Sequence, residues 1–202
     1  MRLLLVRHGV TSETGRALTG RLPGVALSDM GRLDAAVVAD RLSRRPIVAA
    51  YTSPIRRCRE TARIVAGPHR LTPVTDRRAI EVDYGTWSGR KLADLNRLKA
   101  WGRLMAAPSR FRFPEGETLG EVQARAVEAV EEVAARHGTD EVLLVSHADV
   151  IRVLLCHYLG MPLDLIHRLN VAPCSLSVID LAAEGTVHVP VVNQVFGPPE
   201  AS

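Results

Sequence analysis

The chain has 202 residues, 47% of them hydrophobic and 24% charged, with a formal charge of +4 carried almost entirely by arginine. That length and balance suit one globular core and exclude a disordered, collagen-like or disulfide-stapled chain. The basic excess is weak and spread along the sequence, and only 4% of residues are Phe, Trp or Tyr, so no nucleic-acid partner is expected.

Taken in chain order, a strand is predicted over 2–7, where the apolar run Leu3-Leu4-Leu5-Val6 ends abruptly in Arg7, His8 and Gly9, the pattern of a buried strand delivering polar groups to its C-terminal end. In open α/β sheets, sites lie beyond that end of the strands. A helix is predicted over 29–44 and a strand over 47–52. Thr52, Ser53 and Pro54 then read as the hydroxyl-capped start of a helix over 54–66, with Pro in its first turn. Arg56, Arg57 and Arg59 fall in the opening turns, and an arginine fork matches phosphate oxygens. A strand follows near 73–75. Next come Glu81 and Asp83, two carboxylates ahead of the Tyr84-Gly85 turn, either of which could donate a proton. A helical region is expected over 91–106.

Helix 118–137 has the clearest signals: Thr118 and Glu121 as a capping box, an apolar stripe through Leu119, Val122, Ala126, Val130 and Val133, and Gly138 as its stop. Strand 141–146 repeats the first arrangement by delivering His147 to its end. Helix 148–160 starts immediately afterwards, with backbone N–H groups and a dipole that favour an anion. Strands near 174–181 and 187–192 follow with no helix between them, so they should pair antiparallel at one edge. The alternation predicts an α/β fold, a three-layer α/β/α sandwich with a mostly parallel central sheet and an antiparallel edge strand. A single domain over 1–195 and a flexible tail over 196–202 are expected.

Cys58, Cys156 and Cys174 sit in apolar or helical contexts and read as reduced, buried thiols of a cytoplasmic protein. The first apolar run is too short for a signal peptide, and no stretch approaches membrane-spanning length. Metal-ligand spacings are missing, so no metal and no cofactor are expected.

Together these motifs resemble the histidine phosphatase superfamily in its phosphoglycerate-mutase-like branch. The matching residues are Arg7-His8-Gly9 with Thr11, Leu18-Thr19-Gly20, Leu27-Ser28-Asp29-Met30-Gly31-Arg32, Ser53-Pro54-Ile55-Arg56-Arg57 with Thr61-Ala62, Glu81 to Gly89, Gly116-Glu117-Thr118, and Val145-Ser146-His147 with Val150-Ile151-Arg152. The resemblance implies that His8 becomes phosphohistidine, that Arg7, Arg57 and His147 hold the phosphoryl oxygens, and that Glu81 rather than Asp83 is the proton donor. Thr14, Thr19, Gly20, Tyr84 and Ala148 complete the implied substrate contacts. Val10, Thr14 and Ala148 depart from the residues usual in the family; Thr14 keeps a hydroxyl and Ala148 keeps its backbone N–H.

Chemically, attack on a phosphomonoester dianion needs positive charge in place, which Arg7, Arg57 and a protonated His147 would supply, beside a neutral His8. The interval from Glu81 to His147 is shorter than in mutases of this family, which favours hydrolysis over intramolecular transfer. Arg90, Lys91, Arg110 and Arg112 are candidates for a second anionic group on the substrate. The expected partner is a small phosphorylated metabolite, with no membrane; pairing with a second copy of the chain is left open. The non-enzyme alternative is a silent module that binds anions or a partner protein.

Overall fold

The computed structural model describes residues 1–182 and 184–197. Its sheet has six strands: β1 (Arg2–Arg7), β2 (Ile47–Thr52), β3 (Val74–Thr75), β4 (Glu141–Ser146), β5 (Leu176–Leu181) and β6 (Val187–Gln194), in the spatial order β3-β2-β4-β1-β5-β6. The first four are mutually parallel, and β5 runs antiparallel to both β1 and β6. The reversed strand is therefore internal, and β6 forms the edge.

Alternation along β1 explains the three layers. Leu3 and Leu5 face one apolar cluster, and Leu4 and Val6 face the other. Helices α1 (Asp29–Leu42) and α2 (Arg56–Ala66) cover the second face through Ala35, Val38, Leu42, Cys58, Ala62 and Val65. Helices α5 (Leu119–His137) and α6 (Ala148–Tyr158) cover the first, with α5 opened by the expected capping box and ended at Gly138. The expected helical region over 91–106 divides into two short helices, α3 (Leu92–Leu95) and α4 (Lys99–Ala106). Trp87 stacks on Trp101 and packs against Phe111 and Phe113, which meet edge to face, on the same face as α5.

One reading needs correction. Helix α2 begins at Arg56 with Ile55 as an uncapped N-terminus, two residues later than expected; the Ser53 hydroxyl accepts from the Ile55 N–H (3.3 Å) and bonds His147 (2.7 Å). In the expected tail, Phe196 is half-buried against the α1–α2 cluster; residues 198–202 lie outside the described chain. No helix among the described residues is long and apolar enough to cross a membrane.

Candidate active site

The C-terminal ends of the adjacent parallel strands β1 and β4 bring His8 and His147 together, with ring centroids 5.3 Å apart. His8 is 6% exposed, and its backbone N–H donates to the Ser146 carbonyl at the end of β4 (2.9 Å). Close packing behind it is possible only because Gly9 and Gly31 have no side chains. A Cβ on Gly9 would lie 2.5 Å from the Gly31 carbonyl oxygen, and one on Gly31 would lie 2.2 Å from the Val10 oxygen.

Arg57, buried in the first turn of α2, ties both histidines to the loop after β1. Its Nε donates to His8 Nε2 (3.1 Å), and its Nη2 donates to His147 Nδ1 (3.1 Å) and the Gly20 carbonyl (2.8 Å). These bonds settle the tautomers. His8 Nδ1 lies 2.8 Å from the Gly9 carbonyl, which can only accept, so Nδ1 carries the proton and Nε2 keeps a lone pair. In His147 the order reverses: Nδ1 accepts from Arg57, and Nε2–H donates to Ser53 Oγ (2.7 Å).

Burial, reinforced by the cationic Arg57, drives the pKa of both imidazoles well below the usual histidine value. For His8 this is the neutral form a nucleophile needs. For His147 it corrects the expectation of an imidazolium: with its Nδ1 accepting a hydrogen bond from a guanidinium, the ring is neutral.

Glu81 Oε2 lies 3.7 Å from His147 Nδ1, and Oε1 accepts from the Val82 N–H. Its carboxyl is raised to about 7, chiefly by burial and then by the charge of Asp149, with Arg57 opposing. The Glu81 main chain is held from two sides, its carbonyl accepting from Arg21 Nε (2.9 Å) and Arg125 Nη2 (3.2 Å); both arginines also grip Glu117. Asp83 has a different occupation. It accepts from Arg21 and from the Gly85 N–H, fixing the turn that follows.

A cleft of about 260 Å³ opens over this centre, lined by Arg7, His8, Thr14, Thr19, Gly20, Glu81, Tyr84 and Ala148 among others. Arg57 and His147 lie beneath it rather than in its wall. Arg7 Nη1 donates to the Val171 carbonyl (2.6 Å), while Arg7 Nε and Arg57 Nη1 are buried with no hydrogen-bond partner among the described residues. Two buried guanidinium donors without acceptors suit a tetrahedral anion. Arg56 and Arg59 are exposed, Arg56 pairing with Glu60. Arg90, Lys91, Arg110 and Arg112 do not line the cleft. Arg110 and Arg112 border a separate depression, and Arg112 pairs with Glu121.

Sequence reasoning read Ser53 as a helix cap and gave no site role to Asp149, Arg152 or the Arg21–Glu117–Arg125 brace, although Glu117 and Arg152 lie in the matching motifs. Asp149 and Arg152 are three residues apart, so helical spacing puts them on one face of α6, but it does not by itself aim that face at the site. The brace joins three distant segments and left no local signal.

A buried neutral histidine, buried guanidinium donors and a carboxyl raised to about 7 are groups that phosphoryl transfer requires. The sequence model of the histidine phosphatase superfamily (branch 1) matches residues 3–194, and the chain belongs to that family. Among curated relatives, phosphoserine phosphatase 1 of Hydrogenobacter thermophilus is 32% identical over 90% of this chain and 87% of its own length. A protein of Proteus mirabilis named as a probable phosphoglycerate mutase is 33% identical over 89% and 85%. The solved structure of a mycobacterial glucosyl-3-phosphoglycerate phosphatase with VO3 superposes with a TM-score of 0.85 at 27% identity, covering 95% of this chain and 98% of that one.

Proposed function

We propose that this chain hydrolyses a small phosphorylated metabolite through a phosphohistidine at His8. The observation that carries this reading is the His8 tautomer: Nδ1–H is committed to the Gly9 carbonyl, which leaves Nε2, here accepting from Arg57 Nε, as the ring's one lone pair, on a residue that lines the cleft. In the first step Nε2 attacks phosphorus as the ester P–O bond breaks, and the departing alkoxide takes the proton of Glu81. Arg7 Nε and Arg57 Nη1 donate to the phosphoryl oxygens as charge shifts onto them. In the second step the Glu81 carboxylate takes a proton from water, whose oxygen attacks phosphorus. The P–N bond breaks, releasing inorganic phosphate and restoring His8 with a protonated Glu81.

The phosphatase relatives support hydrolysis, and the three buried, free cysteines support a cytoplasmic setting. Acid-quenched turnover of a ³²P-labelled ester should leave label on His8, and His8→Ala should abolish both label and turnover. An active His8→Ala variant would overturn the mechanism. Glu81→Gln should slow an alkyl phosphate far more than p-nitrophenyl phosphate, whose leaving group scarcely needs a proton. An isomerisation assay on 3-phosphoglycerate tests the mutase alternative; efficient isomerisation with little released phosphate would replace the hydrolase reading.

A further inference from the structure

Two charged side chains in the outer cleft make no hydrogen bond to His8 or Glu81, although the charge of Asp149 helps to raise the Glu81 carboxyl. Asp149 and Arg152 project from the first turns of α6 into the same cleft that holds His8 and Glu81. The Tyr84 hydroxyl donates to Asp149 Oδ2 (2.6 Å), and Arg152 Nη1 donates to Oδ1 (2.8 Å). Arg152 is further committed through Nε to the Leu169 carbonyl (3.0 Å). Asp149 nevertheless keeps 23% of its side-chain surface open, and each of its oxygens has an acceptor position left.

Resting on the hydrolase reading, we propose that Asp149 selects the alcohol half of the substrate by accepting a hydrogen bond from a hydroxyl or ammonium group next to the phosphoester. Three observations point this way. The charged side chains lining the cleft are Arg7, Arg152, Glu81 and Asp149. Arg7 carries a buried Nε without an acceptor, Arg152 already faces Asp149, and Glu81 is the proposed proton donor, so the remaining strong feature is an accessible carboxylate. That carboxylate is ionised: burial pushes its pKa up, but the charge of Arg152 and the hydrogen bonds from Tyr84 and Arg152 outweigh this and hold it below the ordinary value. Finally, the arginines that could have received a second anionic group at Arg90, Arg110 and Arg112 lie outside the cleft. A substrate carboxylate near Asp149 would face like charge, whereas a donor group would complete an unfilled acceptor.

The test compares kcat/KM for O-phosphoethanolamine, glycerol 1-phosphate, ethyl phosphate and phosphoglycolate, with p-nitrophenyl phosphate alongside. The expected order places at least one donor ester about tenfold or more above ethyl phosphate, with phosphoglycolate below it. Phosphoethanolamine leading identifies the ammonium, and glycerol phosphate leading identifies the hydroxyl. Asp149→Ala should erase the donor advantage and, by freeing Arg152, raise phosphoglycolate relative to ethyl phosphate. Asp149→Asn, which keeps the shape, should remove a preference for ammonium. A wild-type enzyme that favours phosphoglycolate, or is indifferent to the substituent while hydrolysing p-nitrophenyl phosphate normally, overturns this inference alone. So does a donor preference that survives Asp149→Ala. If p-nitrophenyl phosphate is itself inert, the hydrolase reading falls and takes this inference with it.

Discussion

Replacing Glu81 by Gln should stabilise the protein at alkaline pH while damaging its chemistry. The carboxyl is 7% exposed and its pKa stands at about 7 against an ordinary 4.5, because burial and the nearby Asp149 disfavour its charge. An acid raised in the folded state binds its proton more tightly there than in the unfolded chain. As pH climbs through 4.5 the unfolded chain ionises first, so folding stability falls until the folded group ionises near 7 and then levels off. At about 1.4 kcal/mol per pH decade, that gap amounts to about 3 kcal/mol. Gln keeps the Oε1 that accepts from the Val82 N–H and carries no charge, so the variant escapes this loss. Urea unfolding of both proteins at pH 5 and pH 8 isolates the effect, since other titrating groups cancel in the difference. Glu81→Gln should gain about 2–3 kcal/mol relative to wild type between the two pH values, several degrees in Tm for a chain of this size. A difference independent of pH, or a variant that weakens further at pH 8, would refute the raised carboxyl and with it the assignment of Glu81 as a proton donor at neutral pH.

Arg57→Lys cannot reproduce the bonds to His8, His147 and Gly20, so kcat/KM should fall about a hundredfold or more, while exposed Arg56→Lys should stay within about twofold. Ser53→Ala leaves His147 Nε2–H without its oxygen acceptor; stability should drop by about 1–3 kcal/mol, and ¹⁵N shifts of the ring should report a changed tautomer balance. Burial raises all three thiols, Cys156 to about 11 and Cys174 to about 12, so none should react with a thiol reagent at pH 7.5 until the protein is unfolded.

The parallel strands and long helices were legible because their signals are local: apolar runs ending in polar triplets, the Thr118–Glu121 box and the stop at Gly138. What escaped were features decided across the chain. The hydroxyls at Thr52 and Ser53 look like a helix cap in sequence, but Ser53 is drawn to a histidine 94 positions away. The protonation of His147 could not be read from a count of nearby arginines, because full burial and a donated Arg57 hydrogen bond decide it. The meeting of His8, Arg57, Glu81 and His147 was suggested by resemblance, whereas the place of Asp149 in the cleft needed the structure.

The central place of β1 has a consequence for how the molecule is made. The strand that carries His8 is flanked by β4 and β5, and its first residue bonds Asp180, 178 positions away. Contacts that distant in sequence form slowly, since a long loop must close before they return any stabilisation. Until β4 and β5 dock, Leu3, Leu4, Leu5 and Val6 present an unpaired apolar ribbon, a template for the wrong neighbour. Competence to turn over substrate should therefore be among the last properties to return on refolding, after helical signal has recovered.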